Sequence, residues 1–397
     1  MKTAITATAL ATSGSSLAAK KQTSVVVIGA GAFGGWTALY LLRNGAKVTL
    51  LDAWGPGNSR ASSGGETRII RATYGGLQLY SQMATDALGL WKENERRWQR
   101  KLFFHTGVLW MASANDAYEQ ESMRVLTRVA VPFEKLSAAD AAKRWPQISF
   151  EGVNWSLFEP DAGYLLARRS CEAVLEGFRA EGGEYRLAQA EPGRISNQEM
   201  QAVQLNGSEN LQADCYVFAC GPWLPRVFPF LAGKIRPTRQ EVFFFGTSGG
   251  DRRFTDEALP TWIDNSAQLF YGIPGNQWRG FKLACDERGP DFDPTTGERQ
   301  ISDQKLEQAR RYMDHRFPEM RGVPLLETRV CQYENTPDQR FILDRHPEAN
   351  NVWILGGGSG HGFKHGPALG LKAAQAVLEK RTPEAELSLE RLLQSSP

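Results

Sequence analysis

The sequence predicts an α/β protein, α+β overall, in which a doubly wound parallel core is interleaved with an antiparallel-sheet domain. Three observations carry that expectation. The chain has 397 residues, 42% hydrophobic and 23% charged, a globular composition at a length where one hydrophobic core would be overgrown and two domains are expected. Near its start, short β-branched runs flank a helical segment, the pattern of a parallel βαβ unit buried on both faces. From residue 235 to 283, strand-like runs follow one another with no helical pattern between them, which predicts antiparallel pairing.

Taken in order, the chain opens with a strand over 25–28, a helix over 33–43 ended by Gly45, and a strand over 48–51 closing with Asp52. Tyr80, Met83, Ala87 and Trp91 recur at helical spacing, so 77–98 reads as an amphipathic helix. Short strand and helix pieces mix between 105 and 158, where Ser137 suits the N-cap of a helix ending near Pro146. A helix over 167–180 stops at Gly182 and Gly183, and an Asn206-Gly207 turn precedes a buried strand over 215–219. The runs 242–245 and 269–273 belong to the antiparallel stretch. A helix over 302–317, strands over 328–333 and 352–355, and a helix over 367–379 complete the chain.

The 46 basic and 44 acidic residues leave a formal charge of +2, with no long basic run to track a phosphate backbone. Nucleic acid is therefore not an expected partner. The five cysteines, Cys171, Cys215, Cys220, Cys285 and Cys331, have the spacing of neither a disulfide framework nor a zinc site, so at least one is unpaired and no metal is expected. No stretch reaches the roughly 20 apolar residues that span a bilayer. Residues 1–20 differ in kind: Ala, Thr, Ser and Leu surround one early lysine and end in Ser-Leu-Ala-Ala. That composition fits the tail of a twin-arginine export leader lacking its arginine pair, and equally an extension that directs nothing. The expected location is cytoplasmic, or periplasmic if such a leader acts.

Gly29, Gly31 and Gly34, with Ala30 and Phe33 between them, form Gly-Ala-Gly-Ala-Phe-Gly between a predicted strand and helix. This is the Rossmann-type dinucleotide fingerprint. The first glycine permits the turn, the second lets the backbone approach a pyrophosphate, and the third allows close packing of helix on strand. Asp52 ends the next strand, where an acid would accept hydrogen bonds from the adenosine ribose. The unit alone does not separate FAD from NAD.

Ser63 to Tyr74 reads Ser-Gly-Gly-Glu-Thr-Arg-Ile-Ile-Arg-Ala-Thr-Tyr. Later come Cys331-Gln332-Tyr333, Thr336-Pro337-Asp338, Ile342, Asp344, His346-Pro347 and Ser359-Gly360-His361-Gly362-Phe363-Lys364. From about residue 24 to 382 the chain resembles the FAD-dependent amine oxidoreductases related to D-amino acid oxidase, within them the monomeric sarcosine, N-methyltryptophan and pipecolate oxidases. The resemblance implies an FAD domain and a substrate domain. It implies oxidation of the carbon–nitrogen bond of a secondary or N-methyl amino acid, imine hydrolysis, and reduction of dioxygen to hydrogen peroxide. Cys331 matches the cysteine that tethers the flavin through a thioether, though a free cysteine is more commonly a small core residue. Lys282 matches the lysine over the flavin where dioxygen is reduced; an ordinary ion pair with Asp286 is the alternative. Arg68 matches the arginine that packs over the flavin. Arg71 and Lys364 match the two cations that hold the substrate carboxylate, while Tyr271 and Tyr333 match aromatic residues of the substrate cavity. Ser62, Thr67, Gly221, Gly358, Gly360, Gly362, Phe363 and Lys364 are the further cofactor contacts the resemblance implies. A glycine-rich run, 356–360, before the last helix offers amides and a helix dipole to a reduced flavin. His361 is expected to order that turn.

Two departures bear on the substrate. Ser63 and Gly64 stand where the sarcosine oxidases carry two histidines, and Asp286 stands where they carry an active-site histidine. A carboxylate in place of an imidazole reverses the local charge preference, so Asp286 is a candidate contact for a cationic or hydroxylated substrate tail. Trp278 and Arg279 also replace small residues. The expected division is a leader or extension over 1–22, the FAD domain over 23–104, 159–234 and 326–385, the substrate domain over 105–158 and 235–325, and a tail over 386–397. The expected partners are an amino acid and dioxygen, on a monomer or weak oligomer. A dehydrogenase using a quinone or carrier protein, and a non-catalytic flavin-binding protein, are the competing expectations.

Overall fold

A computed structural model of the protein describes residues 22–247, 249–379 and 381–394; the candidate leader over 1–20 lies outside them. The apolar run Val25–Val27 is fully buried because Ser24–Ile28 is an inner strand of a six-stranded sheet. The order is Ile342–His346, Ala349–Gly356, Cys215–Phe218, Ser24–Ile28, Lys47–Asp52, Glu184–Leu187. Its pairs are parallel except the terminal hairpin between Ile342–His346 and Ala349–Gly356. The helices Ala32–Arg43, Ala167–Ala180 and Gly366–Glu379 pack together, the first touching both others. Trp36 sits so close to Gly366 and Gly370 that a Cβ on either would meet it at 2.6 or 2.7 Å.

The second large sheet has eight strands in the order Leu325–Asn335, Arg236–Phe245, Phe281–Cys285, Phe270–Ile273, Thr261–Asn265, Val108–Ala112, Trp155–Glu159, Glu134–Ser137. It departs from the antiparallel expectation at one junction, where Thr261–Asn265 runs parallel to Val108–Ala112. Parallel neighbours need a long crossover, and the chain between these two strands supplies it. Residues 326–335, grouped from the sequence with the FAD core, lie in the edge strand of this sheet and pair with Arg236–Phe245. A three-stranded sheet of Thr67–Ile70, Gly163–Leu166 and Phe103–His105 also forms.

Local signals fall where the side-chain chemistry requires. Ser137 Oγ accepts from Asp140 N at 3.1 Å and caps Ala138–Arg144. Ser302 Oγ does the same for Lys305 N at the head of Asp303–Arg316. The Asn206-Gly207 turn forms, both residues with positive φ, within a three-residue loop between the paired Leu205 and Glu209. None of the five cysteines forms a disulfide among the described residues. Among the described residues no helix is long and apolar enough to cross a membrane, and no group of His, Cys, Asp and Glu could hold a metal ion.

Candidate active site

A groove of ≈ 640 Å³ opens at the C-terminal ends of the parallel strands. Gly29, Gly31, Phe33, Asp52, Ser62 and Gly221 line it from one side, and Gly358, Gly360, Gly362 and Phe363 from the other. Gly29 has φ +106°, and a Cβ there would sit 2.3 Å from the Ala219 carbonyl oxygen. At Gly34 a Cβ would stand 1.8 Å from Gly29 O. Both glycines are therefore steric requirements of the turn. Asp52 braces that turn: Oδ2 accepts from Ala30 N at 2.7 Å, and Oδ1 from Trp54 N and Gly55 N at 2.8 Å each. The same carboxylate faces the groove. Ser62 Oγ and Thr67 Oγ1 are buried with no hydrogen-bond partner among the described residues. Ala30, Gly34 and Thr67 support the groove from behind rather than lining it.

The groove meets a second cavity, of ≈ 710 Å³, at Arg68, Tyr333, Gly360 and Phe363, which line both. Arg71, Tyr271, Lys282, Asp286, Cys331 and Lys364 line the second one. Arg68 is clamped by the carbonyls of Ser62, Gly64 and Thr67 at 2.7–2.9 Å, which aims its guanidinium 3.7 Å from Cys331 Sγ. Lys282, only 2% exposed, donates to Thr67 O at 2.8 Å. Burial, helped by the Arg68 charge, pushes its pKa well below the ordinary lysine value. The ion pair with Asp286 that the sequence allowed does not form: the chain turns Lys282 inward onto the Thr67 carbonyl, and Asp286 Oδ1 accepts instead from Tyr333 Oη at 2.9 Å. Tyr271 Oη lies 3.4 Å from Tyr333 Oη, so two hydroxyls in series end on the carboxylate. Burial, and then the Asp286 charge, push Tyr271 up to about 12. Asp286 itself opens onto the cavity lumen, where burial raises its pKa against the opposing pull of Tyr333, Arg71 and Lys364.

Arg71 and Lys364 converge on a residue that the sequence reading assigned no role. The Arg71 guanidinium lies between the rings of Tyr74 and Trp110, 4.5 and 4.9 Å from their centroids. Lys364 Nζ donates to Tyr74 Oη at 2.7 Å and to His361 O at 2.8 Å. His361 Nε2 meets the Gln339 carbonyl at 2.9 Å and must donate, so its neutral ring accepts from Tyr74 Oη through Nδ1 at 3.2 Å. That commits the single tyrosine proton, and His365 Nε2 then donates to Tyr74 at 2.7 Å. Burial and the Lys364 charge hold both histidines neutral, pushing His361 down to about 3. Burial and Arg71 likewise lower Lys364 well below the usual lysine range. Glu159, buried, accepts from Ala72 N at 2.7 Å, Thr73 N at 3.0 Å and the Thr73 hydroxyl. It fixes the loop that carries Arg71. Trp91 holds the Lys364 carbonyl at 2.9 Å from the Gln78–Trp98 helix. At the rim, Glu66 pairs with both Arg279 and Arg329.

Tyr74 stands at the end of the 63–74 motif, so its position was visible though its role was not. Glu159 and Trp110 carry no local signal.

The family described as FAD dependent oxidoreductase matches residues 24–376. A monomeric sarcosine oxidase of Bacillus sp. is 31% identical over 372 residues, covering 92% of this chain and 94% of that one. An N-methyl-L-tryptophan oxidase of Salmonella arizonae is 28% identical over 375 residues, covering 93% and 98%. Among solved structures, L-proline dehydrogenase from P. horikoshii superposes with a TM-score of 0.80 at 19% identity, covering 91% of this chain and 94% of that one.

Proposed function

The chain belongs to the FAD-dependent oxidoreductase family, and from that premise we propose that it oxidises the carbon–nitrogen bond of a secondary or N-methyl amino acid. Dioxygen is the electron acceptor, and hydrogen peroxide the second product. The observation that carries this reading is the meeting of Arg71 and Lys364 at Tyr74, in the cavity that also holds Arg68, Lys282 and Cys331. Two cations brought together from opposite ends of the chain suit a carboxylate. The arginine offers a fork of parallel donors and the lysine a point charge. The names of the similar oxidases point to the same substrate class.

The groove fits FAD: its glycines leave backbone room for a pyrophosphate, and the orphaned Ser62 hydroxyl that lines it offers a polar contact. When bound, FAD supplies the acceptor for the two electrons and the hydrogen leaving the substrate carbon. Cys331 is the proposed tether, with Arg68 as a fixed cation next to its sulfur. Arg71 and Lys364 anchor the carboxylate, so the amine end points toward Tyr271, Tyr333 and Asp286. Such anchoring would fix the substrate's orientation in the cavity, and positioning of this kind supplies much of an enzyme's rate. Asp286, reached through Tyr333, holds or accepts the proton shed by the amine. Water then hydrolyses the imine. Lys282 stabilises negative charge developing on dioxygen and, with its lowered pKa, yields a proton readily to the peroxide.

Two measurements test this. Acid-precipitated protein should stay yellow, and Cys331→Ala should give a colourless pellet; a colourless wild-type pellet removes the tether. Peroxide release should appear with one or more of sarcosine, other N-methyl amino acids, proline and pipecolate. Reduction of the flavin by such a substrate without peroxide, and with reoxidation by dioxygen no faster than free flavin, would replace the oxidase by a dehydrogenase.

A further inference from the structure

The strand Leu325–Asn335 runs past both spaces: Cys331 lines the cavity, whereas Glu334 lines the groove. Glu334 is 6% exposed. Its Oε1 accepts from Gly358 N at 3.0 Å, while its Oε2 is buried without a hydrogen-bond partner among the described residues. Glycine surrounds the carboxyl on three sides. A Cβ at Gly358 would come within 2.8 Å of Oε1, and one at Gly221 or Gly356 within 3.4 or 3.7 Å of Oε2.

We propose that Glu334 is a cofactor-contact residue that acts as a neutral carboxylic acid, with Oε2–H donating a hydrogen bond to an acceptor oxygen of FAD in the groove. The proposal rests on the flavin reading above. An ionised carboxylate buried here would need a cation or further donors, and among the described residues the Glu334 carboxyl takes only the Gly358 N–H. The titratable group facing it from the neighbouring elements is the Cys220 thiol, which burial pushes up and keeps uncharged. In the neutral form the two oxygens divide their roles: Oε1, as carbonyl, accepts from Gly358, and Oε2, as hydroxyl, is the donor that lacks a partner. Burial also moves the Glu334 pKa to about 7, against the pull of the Gly358 amide. FAD offers acceptor oxygens on its pyrimidine ring, ribityl chain and pyrophosphate. A neutral donor binds any of them without placing negative charge beside the reduced ring.

Infrared difference spectra of the holoprotein, recorded on chemical reduction of the flavin, test the contact. A protonated-carboxyl band should move on reduction, shift in D2O and be absent from Glu334→Gln, which keeps a neutral donor and should keep its flavin. The flavin midpoint potential of the wild type should show an added break near pH 7, falling more steeply above it as Glu334 ionises. Glu334→Gln should lack that break and follow the low-pH branch. A yellow wild type whose carboxyl band ignores flavin reduction, or whose potential shows no such break, overturns the contact alone. A wild type that never carries flavin overturns the flavin reading and this contact with it.

Discussion

The groove and the cavity that meet at Arg68 are built by opposite means. The groove depends on glycines: Gly29 and Gly358 line it and Gly34 backs it, each standing where any Cβ would strike a neighbour. The cavity is made of side chains: Arg71, Lys282 with Asp286, Tyr333 and Lys364 come from four segments, and Lys282, Asp286, Tyr333 and Lys364 are held by hydrogen-bond partners distant in sequence. Shape limits one space and charge limits the other. Substitutions in the first should act on cofactor content and folding, and substitutions in the second on substrate preference, with the protein still yellow.

The largest effect is expected at Gly34. Gly34→Val would drive a side chain into Gly29 O, so destabilisation should exceed the ~1–3 kcal/mol of ordinary overpacking, with loss of bound flavin. Thermal unfolding and flavin absorbance check both, and a yellow Gly34→Val of wild-type stability would break the contrast. Next is Arg71→Ala, which should lower kcat/KM for carboxylate substrates about 10²–10³-fold, consistent with about 2–5 kcal/mol for an unpaired buried charge partner. Its flavin content should not change. Loss of flavin instead would mean that the two spaces do not separate.

Lys364 gives a smaller, pH-dependent effect. Because burial and Arg71 lower its pKa, its charge is lost as pH rises through that lowered value, below the ordinary 10.5. Substrate affinity should therefore fall with rising pH over that window, and a bound carboxylate should pull the pKa back up. Lys364→Met should flatten the KM profile and weaken binding by about tenfold, near 1.4 kcal/mol. The smallest expected effect is at Asp286: Asp286→His should shift preference between neutral and cationic amino acids by roughly tenfold or less, read as a ratio of kcat/KM values.

The same contrast governs what was legible in the sequence. Groove elements announce themselves locally, because β-branched runs, glycines at fixed offsets and a terminal Asp52 are all that a βαβ turn requires. Periodicity likewise placed the 77–98 and 302–317 helices within a residue or so. The parallel pairing of Thr261–Asn265 with Val108–Ala112 was not legible, since a strand's direction relative to its neighbour leaves no mark on its own residues. Cavity residues were found through family motifs, but their hydrogen-bond partners were not. Lys282 was read against Asp286, four residues away, because local spacing cannot reveal a carbonyl at Thr67. Glu159 acts on a loop 87 residues earlier in the chain, and His365 on a tyrosine 291 residues away. Glu334 lay beside a matched motif, and strand alternation alone would have set it on the face opposite Cys331.

The central sheet also has a history in time. Ser24–Ile28 can pair with Lys47–Asp52 almost as soon as both are made, yet its other neighbour, Cys215–Phe218, arrives 190 residues later. Cys215–Phe218 must in turn wait for Ala349–Gly356. A ribosome has therefore released nearly the whole chain before the groove acquires its second wall. Contacts so far apart in sequence form slowly, because loop-closure entropy is lost before the pairing rewards it. Until then, strands as apolar as Val25–Ile28 keep one edge unpaired and open to aggregation. Soluble yield should accordingly respond to flavin supplied during synthesis and far less to flavin added after lysis, because the cofactor can rescue only chains whose last strand is still finding its place.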